Sequence, residues 1–210
     1  MRIVIKTGAL RSALRSGQWV LGAAGVLMLA YCALVSADSW RFQKTERRRF
    51  EQLLHDRRKT SHPESLASSA IAPGTWPPAA AGGLIGRIEI PRLGLSVIVV
   101  EGVDRRILRR SVGHIPGTAL PGQPGNVGIS GHRDTFFRPL RNIRRDDIIT
   151  LTTLLGDYRY RVLSTKIVSP SDVEVLDAGE NEILTLVTCY PFYFVGPAPD
   201  RFIVRAERII

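Results

Sequence analysis

From Trp19 to Ala37 the chain reads WVLGAAGVLMLAYCALVSA, with no charged residue. A helix of that length, rising about 1.5 Å per residue, reaches roughly 28 Å, the thickness of a bilayer's hydrocarbon core. The pattern predicts a membrane-spanning helix over 19–37. Trp19 and Trp40 bracket the run, and Arg11, Arg15, Arg41 and Lys44 lie just beyond it, as at a membrane interface. A cleaved export signal is the rival reading, since Val35 and Ala37 offer small side chains at the spacing a cleavage site wants. The apolar run exceeds the roughly 7–15 residues usual for such a signal, which favours a retained anchor.

Beyond the span the texture changes twice. Asp38 to about Lys59 is polar and helix-permissive and reads as a solvated, charged spacer. Thr60 to Gly83, including SLASSAIAPGTWPPAAAGG, is too poor in periodic apolar residues to pack and reads as a flexible tether. From Leu84 onward short β-branched runs alternate with turn residues: IGRIEIP (85–91), SVIVVEG (96–102), NVGISG (126–131), DIITLTT (147–153), YRYRVLSTKIVSP (158–170), EILTLVTC (182–189) and RFIVRAERI (201–209). No helical-period segment of ordinary length interrupts them. The expectation is a mainly β domain, an antiparallel sandwich or a closed barrel. The domain plan is a basic tail (1–18), an anchor (19–37), a juxtamembrane segment and tether (38–83), and a β domain (84–210).

A formal charge of +10 and a pI near 10.4 suit an anionic membrane or wall polymer as well as nucleic acid. The basic residues are spread from Arg2 to Arg208, and no nucleic-acid motif interleaves aromatics with them. No nucleic-acid partner is expected. Arg2, Lys6, Arg11 and Arg15 precede the apolar run while Arg41, Lys44, Arg47, Arg48 and Arg49 follow it, so flanking charge leaves the orientation open.

Two cysteines are present, and Cys32 falls inside the apolar run, where it reads as a small hydrophobe. Cys189, at the end of EILTLVTC, precedes the loop YPFYFVGPAPD, so a rigid strand holds a thiol within reach of solvent. His132 ends another strand in NVGISGHRDTFF, and His114, in VGHIPGTALPG, competes with it for an acid/base role. His55 and His62 fall before the β domain and are poor candidates. A thiolate attacks a carbonyl, and an imidazole protonates the leaving amine. Arg201 opens the next strand and can donate to an oxyanion without changing protonation state. One cysteine and two histidines make no ordinary zinc site, so neither metal nor cofactor is expected.

TLVTC (185–189), GHRDTFF (131–137) and APDRFIV (198–204), in that order, resemble the sortase family of bacterial transpeptidases. The resemblance runs through nearly all of 84–209, including IPRLGL (90–95) and GTALPGQPGN (117–126), and is nearest to the class D group. It implies an eight-stranded β-barrel tethered by the N-terminal segment, with the N-terminus cytoplasmic and the barrel outside. Residue by residue it places the nucleophile on Cys189, the acid/base histidine on His132 and the arginine on Arg201. His114 then falls in a nearby loop, and Asp134 is a turn residue. Ser130 and Thr188 are expected in the wall of a substrate groove. The implied reaction cleaves an LPxTG-like sorting signal of a secreted protein and passes the acyl group to an amine of a peptidoglycan precursor or a pilin lysine. Two rival readings stand beside it: a thiol hydrolase on the same signal and a vestigial, membrane-anchored binding module.

Overall fold

The computed structural model describes residues 7–60, 81–193 and 196–209. Most of the expected tether, residues 61–80, lies outside the described residues. Two compact units result, Met1–Arg41 and Phe42–Ile210. A single helix, α1 (Thr7–Thr60), runs from the first into the second. In the first unit Trp19, Leu21, Leu27, Leu29 and Leu34 are all exposed, and an 18-residue window of the helix has a mean hydropathy of 2.1. That stretch is long and apolar enough to cross a membrane.

The second unit holds eight strands: β1 (Leu84–Ile90), β2 (Leu95–Glu101), β3 (Val112–His114), β4 (Asn126–Ser130), β5 (Ile148–Thr153), β6 (Asp157–Val168), β7 (Ile183–Tyr190) and β8 (Asp200–Arg208). They close into a barrel in the order β1-β2-β3-β4-β7-β8-β6-β5. Alternation along the strands sends one face inward: Ile88 and Ile90 of β1, Ile149 and Leu151 of β5, Tyr160 and Val162 of β6, Leu184 and Leu186 of β7 and Val204 and Ala206 of β8 fill the interior. The closed barrel removes exposed sheet edges.

The expectation of an antiparallel sheet is corrected in two places. β2 and β3 pair in parallel, as do β4 and β7. Parallel neighbours need a crossover rather than a hairpin. Between β2 and β3 that crossover contains α2 (Arg105–Arg110), begun by Asp104, whose carboxylate accepts from the amides of Arg106 and Ile107 at 2.8 and 2.9 Å. Between β4 and β7 the crossover is the β5–β6 hairpin.

The solvated-spacer reading of 38–59 is also corrected. Val97 and Val99 of β2 face the barrel interior, whereas Ile98 and Val100 face outward and are equally buried. Their cover is the C-terminal part of α1: Phe50 is fully buried against them, with Phe42 and Leu54 packed alongside. Gln43 accepts from the Ile98 amide at 3.0 Å and donates to the Arg110 carbonyl at 2.7 Å. A strand buried on both faces reads as a continuous apolar run, which is what VIVV is. Phe50→Ala is expected to cost about 3 kcal/mol, the usual scale for emptying a buried phenylalanine site. A chain starting at residue 84 should melt below one starting at residue 42, and equal melting temperatures would show that the helix contributes nothing to the barrel.

A second tie bears on pH. Asp147, buried just before β5, accepts both Arg92 guanidinium contacts and the Arg144 amide. The hydrogen-bonded Arg92 guanidinium, chiefly, holds its carboxyl below the usual carboxylate value. A folded-state value below the unfolded one gives stability that is complete above the unfolded value of about 3.9 and is lost as the pH falls through the folded one. Arg92→Ala should therefore lower stability at neutral pH and flatten its decline in acid. Parallel acid-unfolding curves for the two proteins would contradict this.

Candidate active site

β7 lies between β4 and β8, and its two registers set the site. On one side the parallel pairing runs from Asn126↔Ile183 to Ser130↔Val187. The pairing ends at Ser130, two residues before His132, and past it Gly131 still donates its amide to the Val187 carbonyl. On the other side Cys189 is directly opposite Arg201. β7 thus carries Cys189 opposite Arg201 of β8 and lies beside the segment that leads from β4 to His132. Directly opposed residues of an antiparallel pair place their Cβ atoms about 4.5–5.5 Å apart on the same face.

The face follows from alternation. Leu184 and Leu186 enter the core, so Val187 and Cys189 point outward. Phe202, Val204 and Ala206 pack inward, so Arg201 and Ile203 share the outer face. Cys189 is a half-buried free thiol. Arg201, also half-buried, donates one Nη1 to the carbonyls of Ala198 at 3.3 Å and Asp200 at 2.9 Å. Its remaining N–H groups make no hydrogen bond among the described residues.

The turn carrying His132 is held from several sides. Gly131 donates its amide to the Val187 carbonyl at 3.1 Å, and its own carbonyl accepts from Thr188 Oγ1 at 2.7 Å. A Cβ at Gly131 would lie 2.7 Å from the Phe137 ring and 2.8 Å from Val112, so only glycine lets the fully buried Phe137 close over this point. The Phe137 amide returns to the His132 carbonyl at 3.1 Å. The imidazole at the end of this braced turn is exposed.

The other residues singled out from sequence divide. Ser130 is half-buried on the outer face, paired with Val187 of β7. Thr188 is buried on the opposite face of β7 from Cys189, and its hydroxyl braces Gly131 rather than facing outward. Asp134 is exposed and ion-paired with Arg133 at 3.6 Å. His114 lies in β3, not in a loop, and is buried. Its Nδ1 is 2.7 Å from the Glu101 carboxylate, and its Nε2 is 2.9 Å from the Ala119 carbonyl and 3.0 Å from Thr118 Oγ1. Both ring nitrogens are occupied in a structural network, which leaves none to exchange protons with a substrate. Arg133 is the residue that sequence reading passed over.

The structure is a closed mixed barrel with Cys189 directly opposite Arg201 on its outer face and the turn that carries His132 bonded to β7 beside them. A sortase-domain family model matches residues 88–209, and the chain belongs to the sortase family of transpeptidases. Sortase D of Bacillus subtilis (strain 168) is 38% identical over 125 residues, which cover 59% of this chain and 63% of that protein. Sortase SrtE1 of Streptomyces coelicolor is 32% identical over 147 residues, 61% of this chain and 41% of that protein. The chain therefore spans less than two thirds of either relative. The structure of a Clostridium perfringens Sortase D5 transpeptidase superposes with a TM-score of 0.63 at 26% identity, covering 82% of this chain and 99% of that one. A Clostridium perfringens sortase C solved with its C-terminal cell wall sorting motif gives 0.59 at 30% identity, over 66% and 79% of the two chains.

Proposed function

We propose that this chain is a membrane-anchored cysteine transpeptidase that cleaves an LPxTG-like C-terminal sorting signal and transfers the acyl group to an amine. The observation that carries the reading is Cys189 directly opposite Arg201 on the outer face of the barrel, with the turn that carries His132 hydrogen-bonded to β7 beside it. Cys189, its thiol proton passed to His132, attacks the carbonyl of the signal's threonine, and Arg201 donates its unengaged N–H groups to the oxyanion. His132 protonates the departing amine, leaving a thioacyl enzyme on Cys189. An incoming amine of a peptidoglycan precursor or a pilin lysine then attacks the thioester, and His132 accepts its proton. The outward-facing Ser130 lines the approach to the thiol. The apolar helix over 19–37 is the single-pass anchor, with the N-terminus cytoplasmic and the barrel outside.

The test is a partition experiment with the full chain in detergent, a panel of LPxTG-like peptides, and a rising concentration of a primary amine. A transpeptidase converts peptide increasingly to the amide. A product that stays the free acid at every amine concentration would establish the hydrolase instead.

A further inference from the structure

Arg133 follows His132 directly and is the only buried lysine or arginine among the described residues, its side chain 7% exposed in a chain with 29 such residues. A buried guanidinium loses its hydration, a loss offset only when its donors find acceptors. Here they do. Nη1 donates to the Pro191 carbonyl at 2.8 Å and Nη2 to the Gly196 carbonyl at 3.0 Å, while Nε faces the Asp134 carboxylate at 3.6 Å.

The two carbonyls define what the fork holds. Pro191 lies two residues past Cys189, and Gly196 lies five before Arg201. One planar group therefore grips the β7–β8 connection at its first residue, Pro191, and again at Gly196, from the turn that presents His132. Phe192 packs onto the barrel core near one end of this stretch, while Tyr193 is 77% exposed beneath the Arg141 guanidinium, 5.5 Å from its ring centroid. Ladder pairing with β7 ends at Ser130↔Val187, and past it the turn is tied to β7 at Gly131, by its amide to the Val187 carbonyl and its carbonyl to Thr188 Oγ1; the Arg133 fork adds a tie on the far side of His132, to the β7–β8 connection.

We propose that Arg133 is a positioning residue, whose fork clamps Pro191 and Gly196 of the β7–β8 connection to the His132 turn and so holds the imidazole in place relative to Cys189 and Arg201. Lysine at this position carries the charge but not the planar pair of donors, and it reaches one carbonyl at a time. The inference rests on the reading of Cys189 and His132 as nucleophile and proton carrier.

The test uses Arg133→Lys and, should that variant not fold, Arg133→Gln, each as the full chain in detergent beside wild type and Cys189→Ala. Three quantities are read: kcat and KM for a sorting peptide, the fraction of Cys189 labelled at completion by a small methanethiosulfonate reagent, and the melting temperature. The completed labelling counts accessible thiols, whereas its rate would also follow the thiolate fraction. A misplaced catalytic group typically lowers the rate about 100-fold. The expected result is a fall in kcat of about 10- to 100-fold, with KM and the labelled fraction within about twofold of wild type. A variant whose kcat per labelled site equals that of wild type overturns the inference, as does a loss in kcat that merely tracks a lost fraction of folded, labelled protein. An active Cys189→Ala control would instead overturn the reading beneath it, so the two failures are distinct.

Discussion

Cys189→Ala is expected to abolish both peptide cleavage and amine transfer while leaving the barrel folded. The thiol is half-buried on the outer face, outside the packed interior made by Leu184 and Leu186, so removing its sulfur opens no core cavity. No other cysteine can replace it: Cys32 lies in the apolar stretch of α1. Turnover should drop to background, with a melting temperature within a degree or two of wild type. Turnover near that of wild type would end the nucleophile assignment. His132→Ala should show a comparable loss, whereas His114→Ala, which vacates a buried site bonded to Glu101 and Ala119, should act mainly on stability.

Arg201→Lys carries the second large effect. If Arg201 only balances surface charge, lysine is nearly silent. If it aims donors at a developing oxyanion directly across from Cys189, lysine keeps the charge and loses the planar fork. The fork also makes the Ala198 and Asp200 contacts that fix the group at the strand start, and a single ammonium cannot make these and reach the oxyanion together. Loss of one oxyanion donor typically lowers the rate about 10²–10³-fold, or roughly 3–4 kcal/mol of transition-state stabilisation. Single-turnover acylation by a sorting peptide should fall by that factor at an unchanged melting temperature. A lysine variant acylating within a few-fold of wild type would remove the geometric role.

Much of this was legible in the residues. Seven of the eight strands read as β-branched runs, because alternating or continuous apolar stretches bounded by turns have one ready interpretation. β3 did not, because VGH is three residues long and its burial comes from neighbours rather than pattern. α2 was missed because RRILRR has too little apolar periodicity, although Asp104 stood where a helix cap belongs. The parallel pairings follow from crossovers, and no local pattern encodes which strand a crossover returns to. The helical face of Phe42, Phe50 and Leu54 was written in their spacing, but its target, the outward half of VIVV, could be recognised only once Val97 and Val99 were seen to point inward.

At the site, residue types singled out Cys189 and Arg201 but left His132 and His114 competing until the family resemblance chose His132; the β7–β8 register then places Cys189 directly opposite Arg201. Thr188 went the other way, because a residue adjacent to the nucleophile along a strand faces the opposite side. Arg133 carries no sequence signal to separate it from the other arginines. Only its burial and its two carbonyl partners do so.

The most direct test of the account is intact-protein mass spectrometry of the full chain mixed with a sorting peptide, quenched in acid and then digested. The expected result is a mass gain equal to the peptide's N-terminal acyl portion, located on Cys189 and discharged to an amide when a primary amine is added before the quench. Cleaved peptide with no adduct on Cys189 at any time, and no amide formed with the amine present, would contradict it.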